Sequence, residues 1–592
     1  MKIDLSSVTP QSIRRGINYI KNAGIDGIMS ELRYKMRGPG FSYDGWYKKK
    51  HMADEQELER QRGEELTYSP KVSIIVSVYR TPVNFLSAML ESVIGQTYAN
   101  WELVIVDGSR TSDINIPETK NIVQGYMEKD ERINYILLDE DIGISECLNL
   151  AVEMSSGDYV ALLSHDDIIT QDALYTMVNA LQEDKAYIIY SDEDKMSEEQ
   201  SRYSEPAFKP DFDIDLLRAY NYIGYFTLVK RSLVQAVGGF RKEYEGISYY
   251  DYILRCCERV WGERNSGIRH IQRVLYHMRK HGETAEREKK RKNRCEIGRK
   301  AVEEHLNRMG VLATVAHSEM PGIYKVTYDT PGNPFLSIVI VGANNPDTMK
   351  KCILPLYERA RYSNFEIIIV DRYEGNETLN KFYRSMESTR RNIHIKSESD
   401  ELSVPRLREK GAAAAMGDYL LFIDAETEVM QATAIGEMLG ICMRNEVGAV
   451  GGILYGDNDS TYKSCYAVGK DGQLLDVYKG LKRGDKSYMM RNRISSECSA
   501  VSASCMMVKR ELFHRVGGFS EKFDSWLADI DFCLRVIQRG LVVVMAADAG
   551  WYIHNIYSLE TVKPSSEEMD LFDILWGQYI ATGDRYLSNH FL

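Results

Sequence analysis

The chain repeats itself, and the repeat constrains its fold more than any single stretch does. GDYLLFIDAETEV, from Gly417 to Val429, has the layout of GDYVALLSHDDII from Gly157, and 417 minus 157 is 260. KVSIIVSVYRTP with Ser73 pairs with FLSIVIVGANNP with Ser337, and WELVIVDGS with Asp107 pairs with FEIIIVDRY with Asp371, both 264 apart. KRSLVQAVGGF and KRELFHRVGGF set Gly238 against Gly517, 279 apart, and DYILR and DFCLR set Asp251 against Asp531, 280 apart. An offset that grows by about twenty only across GGILYGDNDSTYKSCYAVGKDG predicts two copies of one domain, the second carrying an insertion there.

Within a copy, the pattern is that of a parallel sheet. Val72 to Val78 reads as a buried strand, Pro82 to Gly95 as a helix, and Glu102 to Val106 as a strand ending at Asp107. Ligands of such sheets lie beyond the carboxyl ends of the strands. Asp107 and the turn after Leu163 fall there, and in the second copy Tyr419 to Ile423 runs out into Asp424, Ala425 and Glu426. In extended backbone, residues two apart share a face, and paired oxygens suit a hard divalent cation that also touches phosphate. An ordinary acidic loop is the plain alternative. Neither GxGxxG nor GxxxxGKS/T occurs at these turns, so a dinucleotide fold or P-loop is unsupported and phosphate charge must be met mainly by a metal.

A chain of 592 residues, 44% apolar and 27% charged, is expected to form two or three soluble globular domains. The net charge of −12 argues against a general nucleic-acid binder. Ten cysteines without CxxC spacing, two of them the adjacent Cys256 and Cys257, read as reduced thiols of a cytoplasmic protein. No apolar run approaches the ~18 residues of a membrane span, and the N-terminus lacks a signal core, so membrane contact is at most peripheral, on the inner face. Residues 1–68 are expected to form an N-terminal helical arm, basic and amphipathic, with FSYDGWYKKKH placing aromatics beside Lys48, Lys49 and Lys50. Such an arm suits an anionic membrane surface, or packing on its own domains with the lysines in solvent. Residues 69–284 and 334–592 are the two domains. Residues 285–333 form a helical linker whose run EREKKRKNR reads as a solvated helix face.

VSIIVSVY, WELVIVDGS, LLSHDD, YSDEDK, FKPD, NYIG, VGGF and VLYHMRKH, followed in order by FEIIIVD, GDYLLFIDAETEV, SAVSASCMMVKRELF, VGGF and DIDFCLR, span roughly residues 70 to 560. This ordered set resembles the tandem family 2 glycosyltransferases of bacterial surface polysaccharide synthesis. The resemblance implies an α/β protein with two tandem GT-A domains, nucleotide-diphospho-sugar transferase folds of Rossmann-like type. It also implies a UDP- or dTDP-sugar donor, Mg²⁺ or Mn²⁺ at a DxD-type turn, inversion at the anomeric carbon, and a polysaccharide or lipid-linked glycan acceptor. Carried over residue by residue, Asp107 and Asp371 match the acid that contacts the base and ribose, and Asp192 and Arg408 match further nucleotide-sugar contacts. Asp166, Asp424 and Glu426 match the metal turn, with His277 and His554 as candidate further ligands. Asp529 matches the general base. A protonated sugar hydroxyl is barely nucleophilic and the departing nucleoside diphosphate gains negative charge, so this chemistry needs a base and a metal. Asp531, two residues along a helix, cannot share the direction of Asp529.

The departures from the family pattern fall mostly in the first copy. Ser164 stands where the second has Asp424, and Tyr249 where it has Asp529. A phenol of ordinary pKa near ~10 is a poor base at neutral pH. The first domain is thus expected to bind a nucleotide sugar weakly, to use another base such as Asp251, or to be a non-catalytic partner. The second departs in VGANN, in Arg372 after Asp371, and in Asn555 after His554. Trp526 beside Asp529 either stacks on an acceptor sugar or belongs to the core. The expected function is an inverting transfer carried mainly by the second domain. A non-catalytic sugar- or nucleotide-binding scaffold is the alternative, and a nucleotidyltransferase is a weaker third that lacks the DIDFCLR element.

Overall fold

The structure is a computed structural model describing residues 42–109, 116–263, 267–282, 285–342, 345–372, 376–398, 402–470, 472–554 and 563–590. Residues 1–41, most of the expected arm, lie outside the described residues, as does Asn555. The chain divides into two compact units, Pro39–Val326 and Thr327–Leu592.

The first unit is built on a mixed sheet. Its strands lie in the order Ile133–Leu137, Trp101–Asp107, Val72–Val78, Tyr159–Leu162, Thr227–Lys230, Ile188–Met196, Ile268–Arg279 and Ile168–Ile169. The first four run parallel, and Thr227–Lys230 runs antiparallel to both its neighbours. The second unit repeats this order with Ile393–Ser397, Phe365–Asp371, Leu336–Val341, Tyr419–Asp424, Cys505–Lys509, Val447–Tyr455, Val542–Ile553 and Thr427–Val429. Strands covered on both faces read as continuous apolar runs, which is why Trp101–Asp107 and Phe365–Asp371 are buried along their whole length. Each unit thus has the α/β GT-A architecture expected, in duplicate.

The duplication extends to polar groups inside each unit. Ser73 Oγ donates to Glu102 at 2.6 Å and accepts from Gly157 N–H at 2.7 Å; Ser337, Glu366 and Gly417 repeat this at 2.6 and 2.8 Å. A Cβ on Gly417 would lie 2.6 Å from the Ser337 nitrogen, so this strand can enter the sheet there only as glycine. Asp251 and Arg255 sit one turn apart on the helix Ser248–Arg259, and the guanidinium donates at 2.6 Å to the carbonyls of both Val237 and Gly239. Asp531 and Arg535 hold Val516 and Gly518 in the same way, at 2.9 and 2.7 Å.

The insertion appears as an added three-stranded sheet of Leu474–Asp476, Cys465–Val468 and Ala500–Val501, between the core strands Val447–Tyr455 and Cys505–Lys509. The GGILY part of the region is itself core strand. In the first unit the helix Tyr43–Lys50 packs on the strand Tyr203–Ala207. Its Tyr47 is buried with its phenol 3.1 Å from His277 Nε2, and Tyr43 donates to Asp194 at 2.8 Å, while Lys49 and Lys50 face solvent. The described part of the arm therefore covers its own domain. The helix Ala285–Arg308, expected as linker, docks on the first unit through Glu258, which faces His305 Nδ1 at 2.8 Å and accepts from Arg308 at 2.7 Å. Its basic run from Lys289 to Arg294 is exposed. Among the described residues no helix is long and apolar enough to cross a membrane.

Candidate active site

In the second unit, five chain segments bring charged side chains to one pocket beyond the carboxyl ends of the central strands. The pocket is lined by Val341, Gly342, Asp371, Arg372, Val404, Pro405, Leu407, Arg408, Asp424, Glu426, Tyr462, Lys463, Ser504, Asp524, Ser525, Trp526 and Asp529. Asp371 ends its strand with one oxygen accepting from Arg372 N–H at 2.7 Å and the other from the Tyr383 phenol. Gly342 approaches it closely, since a Cβ there would lie 3.4 Å from Asp371 Oδ1.

Arg408, on the helix Val404–Ala414, binds the acid of the turn and the acid of the following helix together. Its Nη2 donates to Asp424 at 2.6 Å and its Nη1 to Asp529 at 3.2 Å, and all three side chains are buried. Burial alone would make the guanidinium easier to deprotonate, but the two carboxylates hold its pKa above the ordinary value. Asp529 lies in the first turn of the helix Leu527–Gln538, where backbone N–H groups favour a negative charge. Its second oxygen accepts from Ala503 N–H at 2.9 Å and Ser502 Oγ at 3.3 Å. Burial still raises its pKa, against the opposing pull of Arg408, Lys463 and the Ala503 amide. Asp531 faces away, accepting from Arg535 at 2.8 Å and from Trp576 Nε1 at 3.1 Å.

Glu426 carries the feature that bears on a cation. Its Oε2 is buried without a hydrogen-bond partner, and burial beside Asp424 pushes its carboxyl up to about 7. A buried and a half-buried acid on one turn, the latter with an orphaned buried oxygen, form a donor set that a hard divalent cation would satisfy. The residues present therefore fit such an ion. The His554 backbone N–H donates to the Glu426 carbonyl at 3.0 Å, but its imidazole is engaged by other acids, with Nε2 2.9 Å from Glu428 and Nδ1 3.0 Å from Asp457.

In the first unit the same positions are nearly stripped of charge. Leu148, buried, occupies the place of Arg408, since the helix Ile144–Met154 matches Val404–Ala414 at the offset of 260. The match is fixed by the next residue, because Asn149 and Glu409 each bind the backbone N–H of Phe240 or Phe519. Ser164 replaces Asp424 and donates to Asp166 at 2.7 Å. Tyr249, at the position of Asp529, is buried and stacked on Tyr225 with ring centres 5.6 Å apart. Its pKa is driven well above the ordinary phenol value by burial. Asp107 keeps the strand-end role, accepting from Ser109 N–H at 2.9 Å and the Tyr135 phenol at 2.8 Å.

The remaining predicted residues of this unit are dispersed. Asp251 is enclosed by Arg241 and Arg255, both donating to it, which is the arrangement of Asp531 and not of Asp529. Asp192 is buried, accepting from Lys209 N–H at 2.7 Å and facing His270 at 2.9 Å. His277 is buried between Asp194, at 2.5 Å, and Tyr47. The imidazole on Asp166 is instead that of His281, at 2.6 Å, which the sequence reading passed over. The strand Ile268–Arg279 carries His277 opposite Ile168 in the ladder, whereas His281 follows the strand's end, where ligand-facing residues collect. That rule alone would have favoured His281.

The model of glycosyl transferase family 2 matches residues 73–238 and 337–517. The chain is 32% identical over 562 residues to the uncharacterized protein y4gI of Sinorhizobium fredii, covering 93% of this chain and 60% of that one. It is 29% identical over 486 residues to the O-antigen biosynthesis protein RfbC of Myxococcus xanthus, covering 81% of this chain and 37% of that one. The chain thus spans less than two thirds of the length of either relative. Among solved structures, TarS 1-349 of S. aureus is similar over 40% of this chain and 66% of its own, at 17% identity and a TM-score of 0.31. With the family's domain matched twice, once in each sheet-centred unit, the chain belongs to glycosyl transferase family 2.

Proposed function

We propose that the second unit transfers a sugar, with inversion, from a UDP- or dTDP-sugar to a growing surface polysaccharide or lipid-linked glycan. The observation that carries this reading is the single pocket joining Asp371, Asp424, Glu426, Arg408 and Asp529. The O-antigen role of one relative supports the polysaccharide class. Asp371 holds the nucleoside end of the donor. Asp424 and Glu426 would hold a divalent cation, Mg²⁺ or Mn²⁺, which when bound neutralises the charge of the departing diphosphate. Asp529 takes the proton of the acceptor hydroxyl as that oxygen attacks the anomeric carbon from the face opposite the leaving group. The anomeric C–O bond then breaks with its electron pair going to the diphosphate oxygen. Burial makes Asp529 a stronger base than an exposed carboxylate, and Arg408 with the Ala503 amide keeps it charged and aimed. The first unit, with Leu148, Ser164 and Tyr249 in the places of this set, is the non-transferring copy.

Calorimetric titration of the full chain with UDP and dTDP, with Mn²⁺ or with chelator, tests the donor half. Cation-dependent binding that Asp424→Asn with Glu426→Gln abolishes is expected. Undiminished binding by that double variant in chelator would reject the cation role.

A further inference from the structure

The second unit's insertion does more than lengthen a loop, because two of its residues enter the pocket. Tyr462 and Lys463 line it together with Trp526, whose indole lies parallel to Tyr466 of the added sheet at 5.9 Å and 6°. The residues that follow the added sheet's last strand, Ala500–Val501, reach the proposed base directly, through Ser502 Oγ and Ala503 N–H on Asp529. The first unit lacks the added sheet, and at the offset of 280 that fixes this helix it has Gly246 in the place of Trp526 and Tyr249 in the place of the base. The indole of Trp526 and the base therefore occur together in one copy and are missing together from the other.

The charges decide what this wall is for. Arg408 is shared between Asp424 and Asp529, and Arg372 sits at the Asp371 end, donating to the Leu402 carbonyl. Lys463 is on the Asp529 side. It is half-buried and forms no ion pair among the described residues; its hydrogen bonds go to two hydroxyls, Ser502 Oγ at 3.4 Å and Ser504 Oγ at 3.3 Å, and it lies 5.6 Å from the centre of the Tyr462 ring. A partly desolvated ammonium hydrogen-bonded only to neutral hydroxyls gains from an incoming anion. A flat aromatic face beside it suits the C–H surface of a sugar ring.

We propose that the insertion builds the acceptor side of the second unit's pocket, and that Lys463 there selects an acceptor sugar bearing a carboxylate or phosphate near the attacking hydroxyl. The inference rests on the reading of Asp529 as base, which fixes where the acceptor hydroxyl must arrive. The donor's diphosphate is the other anion that could reach the pocket, so the test must separate the two.

Ligand-observed NMR on the full chain with UDP and Mn²⁺ present would compare methyl β-glucuronide and methyl glucoside 6-phosphate with neutral methyl β-glucoside. At least one anionic glycoside should bind about tenfold or more tightly than the neutral one, as a charge-assisted bond implies. Lys463→Met and Lys463→Gln should each erase that preference, Trp526→Ala should weaken all three glycosides, and UDP affinity should stay unchanged, which also shows that the variants are folded. Equal binding of charged and neutral glycosides, no detectable binding of any, or a Lys463 variant that loses UDP affinity while keeping the preference would overturn the proposal. Asp529→Asn should retain the glycoside preference; if it does so while still turning over donor, the reading of the base fails and the acceptor site stands.

Discussion

Replacing Arg408 by leucine, the residue of the first copy, should damage the second unit far more than its size suggests. The guanidinium is the shared partner of two buried carboxylates, at 2.6 Å from Asp424 and 3.2 Å from Asp529. Removing it leaves both acids buried and under-compensated, and breaking a buried pair in this way costs about 3–5 kcal/mol. Putting the whole first-copy set in place, Arg408→Leu with Asp424→Ser and Asp529→Tyr, removes the charges together. Exchanging a buried ion set for neutral groups that pack in the same frame is often neutral or stabilising, so the triple variant should lie within about 1–2 kcal/mol of wild type. The first unit demonstrates that Leu148, Ser164 and Tyr249 pack in this frame. Urea titration of the full chain, read by hydrogen-exchange mass spectrometry on peptides from residues 404–424, isolates the second unit from the first. The three single variants should sum to a loss at least ~3 kcal/mol greater than the triple shows. If the single effects add to the triple within about 0.5 kcal/mol, the three side chains do not act as a unit and the reasoning is wrong.

Two further outcomes follow from the packing and the charges. Gly417→Ala should destabilise the second unit by about 1–3 kcal/mol or more, because the new Cβ meets backbone atoms at 2.6 and 2.8 Å that cannot swing away; exchange protection of Tyr419–Asp424 measures it, and an unchanged value would show that the strand entry can shift. In the first unit, burial and the neighbouring Asp166 push Asp167 up to about 7. A folded-state pKa raised above the unfolded value gives stability present at low pH and lost as pH rises, here between about pH 4 and pH 7 at up to ~1.4 kcal/mol per unit. Asp167→Asn should flatten that decline in thermal melts of the first unit; an unaltered slope would mean the carboxyl is ionised throughout.

Much of the site was legible because its acids sit where apolar strands end. Asp107, Asp371 and Asp424 each terminate or follow a continuous apolar run, and two copies supply their own alignment. The direction of Asp531 away from Asp529 followed from helical geometry alone. What could not be read was contact between distant segments. Nothing in VPRLREKG marks Arg408 as the bridge between residues 16 and 121 positions away. The roles of Tyr462 and Lys463 depend on a short strand, Thr461–Lys463, pairing with the core strand Val447–Tyr455. His277 looked like a ligand by residue type, but strand alternation turned it inward to Asp194, and Tyr47 of the arm covers it. Asp251 matched Asp531, an acid engaged by its own helix's arginine, so its position in DYILR marked structure.

The most direct measurement is nucleoside diphosphate release from a panel of UDP- and dTDP-sugars by the full chain, with Asp529→Asn and Asp251→Asn compared per folded molecule. Removing a positioned general base lowers the rate by about 10² to 10⁴. Asp529→Asn should therefore lose turnover to that extent, while Asp251→Asn, which breaks the pairing with Arg241 and Arg255, should lose stability and keep its rate. Full turnover by Asp529→Asn with loss in Asp251→Asn would make the first unit the working enzyme and contradict the account.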